Sequence, residues 1–107
     1  MILVVFEVWP KEDRADRYFE IAGQLRAELE KIDGFISVER FESRTTPGKY
    51  LSLSAWRDEA AVAAWREHMG HRAAQGEGKA AIFADFRIRV AEVLRDYDMA
   101  GRTETKG

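Results

Sequence analysis

The chain contains no cysteine, which excludes disulfide cross-links, thiolate metal sites and thiol nucleophiles together. It has two histidines, too few for the usual all-protein zinc site. An excess of positive charge is also missing. Seventeen Lys and Arg stand against 19 Asp and Glu, a net charge of -2, so nothing argues for the basic surface that nucleic acid requires. No apolar run approaches the roughly 20 residues of a membrane span. Met1–Phe6 is apolar, but Glu7 interrupts it and no basic segment precedes it, which is not the form of a secretion signal. The nearest glycine run, Gly76-Glu77-Gly78, lacks the form of a phosphate-binding loop. These gaps leave a cytoplasmic protein, without nucleic-acid or membrane partners, as the expectation.

What is present is an ordinary globular balance, 46% apolar and 34% charged over 107 residues, which suits one domain with a core of limited size. Residues 2 to 9 are rich in β-branched and aromatic side chains and stop at Pro10, which cannot continue a ladder. Both alternating sets of this strand are largely apolar, with Ile2, Val4, Phe6 and Val8 on one side and Leu3, Val5 and Trp9 on the other. Such a strand is covered on both faces.

Residues 13 to 32 carry Tyr18, Ile21, Ala22, Leu25, Leu29 and Ile32 at three- and four-residue spacing, the stripe of an amphipathic helix, with Asp13 as its expected N-cap. Gly34 ends it. Strands over 35–43 and 49–56 flank Arg44-Thr-Thr-Pro-Gly48, a turn sequence, and form a hairpin. Asp58 caps a helix over 59–68, a loop at Met69-Gly70 follows, and a short helical piece runs from His71 to Gln75. A long final strand spans 84–97.

The predicted order, β-α-β-β-α-β, is the split βαβ arrangement of an α+β, ferredoxin-like domain, with an antiparallel sheet and both helices on one of its faces. The domain covers residues 1–99, and 100–107 form a polar, mobile tail. The uncovered face of the sheet is expected to meet a second copy, giving a homodimer.

Three segments then resemble the antibiotic biosynthesis monooxygenase domain family: Asp33-Gly-Phe-Ile-Ser-Val-Glu-Arg-Phe-Glu-Ser43, Tyr50-Leu-Ser-Leu-Ser-Ala-Trp-Arg57, and Ala64-Trp-Arg-Glu-His-Met-Gly-His-Arg-Ala-Ala-Gln75. Phe86–Tyr97 is also similar to its members. The resemblance implies a dimeric α+β barrel, and a family of cofactor-independent oxygenases of polyphenolic molecules, heme-degrading monooxygenases and proteins of unknown role. In the heme-degrading branch the chemistry rests on a strand-one asparagine, a helix tryptophan and a later histidine. Trp65 matches the tryptophan, whereas Glu7 and Gln75 fall where the other two would be.

The candidate site residues follow. His71 is the first choice for a catalytic base, or for an axial heme ligand; a surface or helix-capping role is its plain alternative. His68 is either a further substrate contact or a solvent-facing histidine at a helix end. Trp65 packs the core, lines a pocket wall for a planar aromatic, or does both. Trp9 and Trp56 close their strands and are substrate-contact candidates, and Ser52 and Ser54 share the Trp56 side of their strand. Glu7, a charge in an apolar strand, is either a catalytic carboxylate or the partner of Arg87 or Arg89 in a cross-strand ion pair. The expected function is oxidation of an aromatic, quinol- or polyphenol-like molecule with O₂, using neither metal nor flavin. The alternatives are heme binding and degradation through His71, and a non-catalytic dimer that only binds a small apolar ligand.

Overall fold

The computed structural model describes residues 1–75 and 83–101, with the side chains of 70–75 outside the description. Four strands and two helices follow one another as β1 (Ile2–Pro10), α1 (Ala15–Leu29), β2 (Phe35–Glu42), β3 (Tyr50–Trp56), α2 (Glu59–Gln75) and β4 (Phe83–Glu92). The strands form one antiparallel sheet in the order β2-β3-β1-β4. The expected fold is therefore present. β3 lies between the parallel strands β1 and β2, and β1 between β3 and β4, which is how two split βαβ units interlock.

Register assigns the two faces. On one, four transverse rows cross the sheet: Phe35-Trp56-Ile2-Glu92, Val38-Ser54-Val4-Val90, Arg40-Ser52-Phe6-Ile88 and Glu42-Tyr50-Val8-Phe86. Both helices pack on this inner face. One cluster joins Ile2, Val38 and Trp56 to Leu29 of α1 and to Ala61 and Val62 of α2, with Val4, Ile32, Phe35 and Trp65 against it. The other joins Val8 to Tyr18 of α1, with Phe6, Ile21, Tyr50, Phe83 and Phe86 around it. The outer face carries Leu3, Val5, Glu7 and Trp9 of β1 beside Leu51 and Leu53 of β3, and neither helix covers it.

Several boundaries differ from those expected. Asp13 is not the N-cap of α1, because Arg14 N–H donates to the Lys11 carbonyl in a turn of 2.8 Å and the helix starts at Ala15 with no side-chain cap. At its other end α1 stops at Leu29, and Lys31 and Ile32 follow in tighter turns that lead into Gly34 at φ 96°. Asp58 does cap α2: Ala61 N–H donates to its Oδ1 at 2.9 Å. That bond, and then the Arg57 guanidinium, hold the Asp58 carboxyl below its ordinary pKa.

No loop interrupts the chain at Met69-Gly70. The helix runs through to Gln75, so Trp65, His68 and His71 share one helix at successive three-residue steps. A helical glycine costs about 1 kcal/mol relative to alanine, and the surrounding alanines make that cost tolerable. β4 ends at Glu92 instead of 97, since its partner β1 ends too. Ile2 pairs with Glu92, and the last bond runs from Val93 N–H to the Met1 carbonyl at 3.0 Å. The expected tail falls mostly on 102–107, outside the described residues.

Candidate functional site

The site grows from the inner face. Trp56 ends β3 under both helices and has no exposed surface. Its indole N–H donates to the Ser54 hydroxyl at 2.9 Å, so the one polar atom of a buried side chain is satisfied locally. Ser54 is buried with it, while Ser52, in the next row, is partly open. Ser54 and Trp56 are thus core members and not surfaces for a ligand.

On α2 the rings continue outward. Trp65 lies 6.1 Å from Trp56 with planes inclined by 28°, and His68 lies 5.8 Å from Trp65 at 25°. The imidazole Nε2 of His68 is 2.5 Å from Oε1 of Glu28 on α1, so this side chain bridges the two helices. The His71 backbone is in the following turn of α2, but its side chain lies outside the described residues.

The same inner face is partly open on β4. Val90 and Ile88 of β4 are 44% and 50% exposed although they stand in the rows of Val4 and Phe6. The inner face thus carries an apolar strip of sheet on β4 and, on α2 above the same face, a column of flat rings. Such a surface suits an apolar, planar molecule, with the polar groups Ser52 and His68 available to fix its orientation.

Glu7 and Trp9 stand on the opposite face, so the structure does not bring them to Trp65. Glu7 accepts from Arg89 Nη1 at 2.7 Å and from Lys49 Nζ at 2.7 Å, and Lys49 also lies 5.1 Å above the Trp9 ring. The cross-strand ion pair expected from sequence is present with Arg89; Arg87, its register partner, is not the residue in contact. The two cations, Lys49 first, hold the Glu7 carboxyl below its ordinary pKa. A carboxylate so held is a poor proton acceptor at neutral pH.

Two residues of the inner face are not signalled by the sequence. Glu28 stands outside the apolar stripe of α1, and nothing local in the sequence reveals a partner 40 positions away. Arg40 reaches the inner face because β2 shifts register between Phe35 and Ser37, which reverses the alternation beyond it. Its Nε is buried without a hydrogen-bond partner. Tyr18, beside it, is buried in the second cluster. Desolvation raises its pKa, and the Arg40 guanidinium opposes that rise. Among the described residues no three His, Asp or Glu side chains converge as a metal-binding group.

Comparison with known proteins agrees with this architecture. The antibiotic biosynthesis monooxygenase family model matches residues 1–77. A jasmonate monooxygenase of Pyricularia oryzae is 43% identical over 93 residues, 87% of this chain, and the chain spans only 43% of that relative's length. An uncharacterized protein of Bacillus subtilis, YqjZ, is 29% identical over 79% of this chain and 73% of its own. Among solved structures, Rv0793 of Mycobacterium tuberculosis superposes with a TM-score of 0.76 at 16% identity, over 91% of this chain and 98% of that one. A MhuD variant with two manganese protoporphyrin IX bound per active site gives 0.74 at 13% identity, over 92% and 99%. At such identities these two structures speak for the fold alone. The match of the family model over most of the chain goes further: this protein belongs to the antibiotic biosynthesis monooxygenase family.

Proposed function

We propose that the chain is a small cytoplasmic monooxygenase that oxidises an aromatic, quinol- or polyphenol-like molecule with O₂, without metal or flavin. The observation that carries this reading is the half-exposed apolar strip of Val90 and Ile88 on the sheet face that bears the Trp65–His68 column, in a chain of this family. A planar aromatic substrate would lie on that strip against Trp65. Ser52 would offer it a hydrogen bond, and an imidazole of α2 would take its hydroxyl proton. His71 is the base that the sequence pattern favours. Glu7 and Trp9 enter this proposal as supports of the outer face.

The reaction balances without another redox partner. One atom of O₂ enters a ring C–H as a hydroxyl, and the other leaves as water with the two quinol hydrogens, giving a hydroxyquinone. Loss of the hydroxyl proton makes the ring electron-rich enough to give an electron to oxygen. An apolar wall keeps bulk water from re-protonating it.

The outer face supports a homodimer. Leu3, Val5, Leu51 and Leu53 form an apolar patch that neither described helix covers, and Phe41 is 41% exposed beside it. Light scattering on purified protein should give twice the chain mass, and a single-chain mass would remove this part of the proposal.

The function is tested by following candidate quinols with protein under air and under nitrogen. Consumption that needs both protein and oxygen supports it. A ligand that binds but is never consumed, across a broad panel, would instead indicate a non-catalytic receptor. The heme alternative is kept in view by the protoporphyrin-bound fold relative. A flat apolar surface and an imidazole on α2 are the groups that would hold a heme, with His71 the residue that would bind its iron, which would supply oxygen activation when bound. A Soret shift with hemin that disappears in His71→Ala would favour it.

A further inference from the structure

Resting on the oxygenase reading above, we propose that His68 is the group that takes the substrate's proton and that Glu28 is the residue positioning it. Glu28 leaves α1 and meets Nε2 of His68 at 2.5 Å. An ionised carboxylate can only accept a hydrogen bond, so the proton in this bridge belongs to Nε2. In the neutral ring the lone pair then lies on Nδ1, the nitrogen that acts as base. Among the described residues Nδ1 has no hydrogen-bond partner.

The ring plane has its own restraint. His68 stacks on Trp65 and Trp65 on Trp56, which is fixed in the core by Ser54 and Phe35. One contact sets the tautomer and another sets the plane. A histidine that merely ends a helix in solvent needs neither. The side chain remains 38% exposed, so a dissolved ligand can reach it. An orienting carboxylate on one nitrogen, with the other left for the proton, is the arrangement by which enzymes generally ready an imidazole base.

The step is a proton transfer alone. The substrate O–H bond breaks, an Nδ1–H bond forms, and the electron pair stays on the substrate oxygen. The positive charge that develops on the ring lies beside the Glu28 carboxylate, which stabilises it. Other titratable residues are near the pair in sequence. Lys31 follows Glu28 by three residues in the turn after α1, Arg66 and Glu67 precede His68 on α2, and His71 and Arg72 follow within one turn. From the sheet side the residues under the stack, Trp56 and Ser54, are uncharged.

The experiment uses 4-nitrophenol, whose anion absorbs visible light and which reports proton transfer without any oxidation. In slightly acidic buffer the dye should be more ionised when bound to the native protein than when free. His68→Gln should abolish that gain. Glu28→Met should cut it by about tenfold or more, with dye affinity nearly kept, and lower kcat on any turned-over quinol by about 10²-fold, a magnitude typical of general-base loss. Glu28→Gln keeps an acceptor oxygen, so nitrogen NMR should show the Nε2–H tautomer in it and in the native protein, and a mixed one in Glu28→Met. The native-protein spectrum stands even if a variant fails to fold. A gain that survives His68→Gln, a gain that depends on His71 instead, a native Nδ1–H tautomer, or dye that does not bind would overturn the proposal. Ionisation without oxygen-dependent turnover would retire the oxygenase reading and leave the pair; turnover without ionisation would retire the pair alone.

Discussion

Trp56 donates its indole N–H to the hydroxyl of Ser54, two residues earlier on the same strand, at 2.9 Å with both side chains buried. The pair separates two serines that sequence alternation places together. Ser54→Ala leaves a buried donor without a partner and should cost about 1–3 kcal/mol. Ser52→Ala, one row away and partly open, should change stability little and weaken a hydroxylated ligand instead. Urea unfolding of the two variants, side by side, distinguishes these outcomes.

Trp65 rests on Trp56 and carries His68. Trp65→Ala should lower stability by about 2–3 kcal/mol, less than a fully buried tryptophan, because the side chain is only partly buried. It should also weaken an aromatic ligand by about tenfold, the worth of one good ring contact. Trp65→Phe should recover most of the stability and part of the affinity. Thermal melts with ligand titrations read both effects.

Gly34 holds φ 96°, and a Cβ there would come within 2.6 Å of the Ala61 Cβ on α2. Its carbonyl accepts from Arg57 N–H at 2.7 Å, so the backbone cannot easily move away. Gly34→Ala should therefore cost about 2 kcal/mol or more, through the left-handed backbone and the collision together. Ala61→Gly removes the collision but itself costs about 1 kcal/mol as a helical glycine. In chemical unfolding, Gly34→Ala should therefore cost less when added to Ala61→Gly than when added to the native protein.

Glu7 joins Lys49 and Arg89 on the outer face. Its pKa is lowered in the folded state from the ordinary 4.5, chiefly by Lys49. A depressed carboxylate adds stability above its unfolded pKa and loses it as pH falls through the folded one. The native protein should thus melt higher than Glu7→Gln near neutral pH, with the gap closing below about pH 4.5. Quinol consumption should persist in Glu7→Gln. A gap that widens on acidification would contradict the assignment.

Much of the fold was legible because its signals are local. Alternation marks β1, three- and four-residue spacing marks α1, Asp58 caps α2, and Gly34 closes a turn only glycine takes easily. The interruption expected at Gly70 did not occur, since alanine-rich flanks outweigh one glycine. The inward turn of Arg40 depends on a register shift that leaves no mark in composition. The Glu28–His68 bridge was not legible either. It joins residues from two helices whose relative placement is fixed by the sheet beneath them and by no motif.

The central claim is that molecular oxygen itself is incorporated. The direct measurement is mass spectrometry of the product formed under ¹⁸O₂ from a quinol the protein consumes. The account predicts one heavy oxygen atom in the product and the other in water. A product that carries no label, with oxygen serving only to take up electrons, would contradict it.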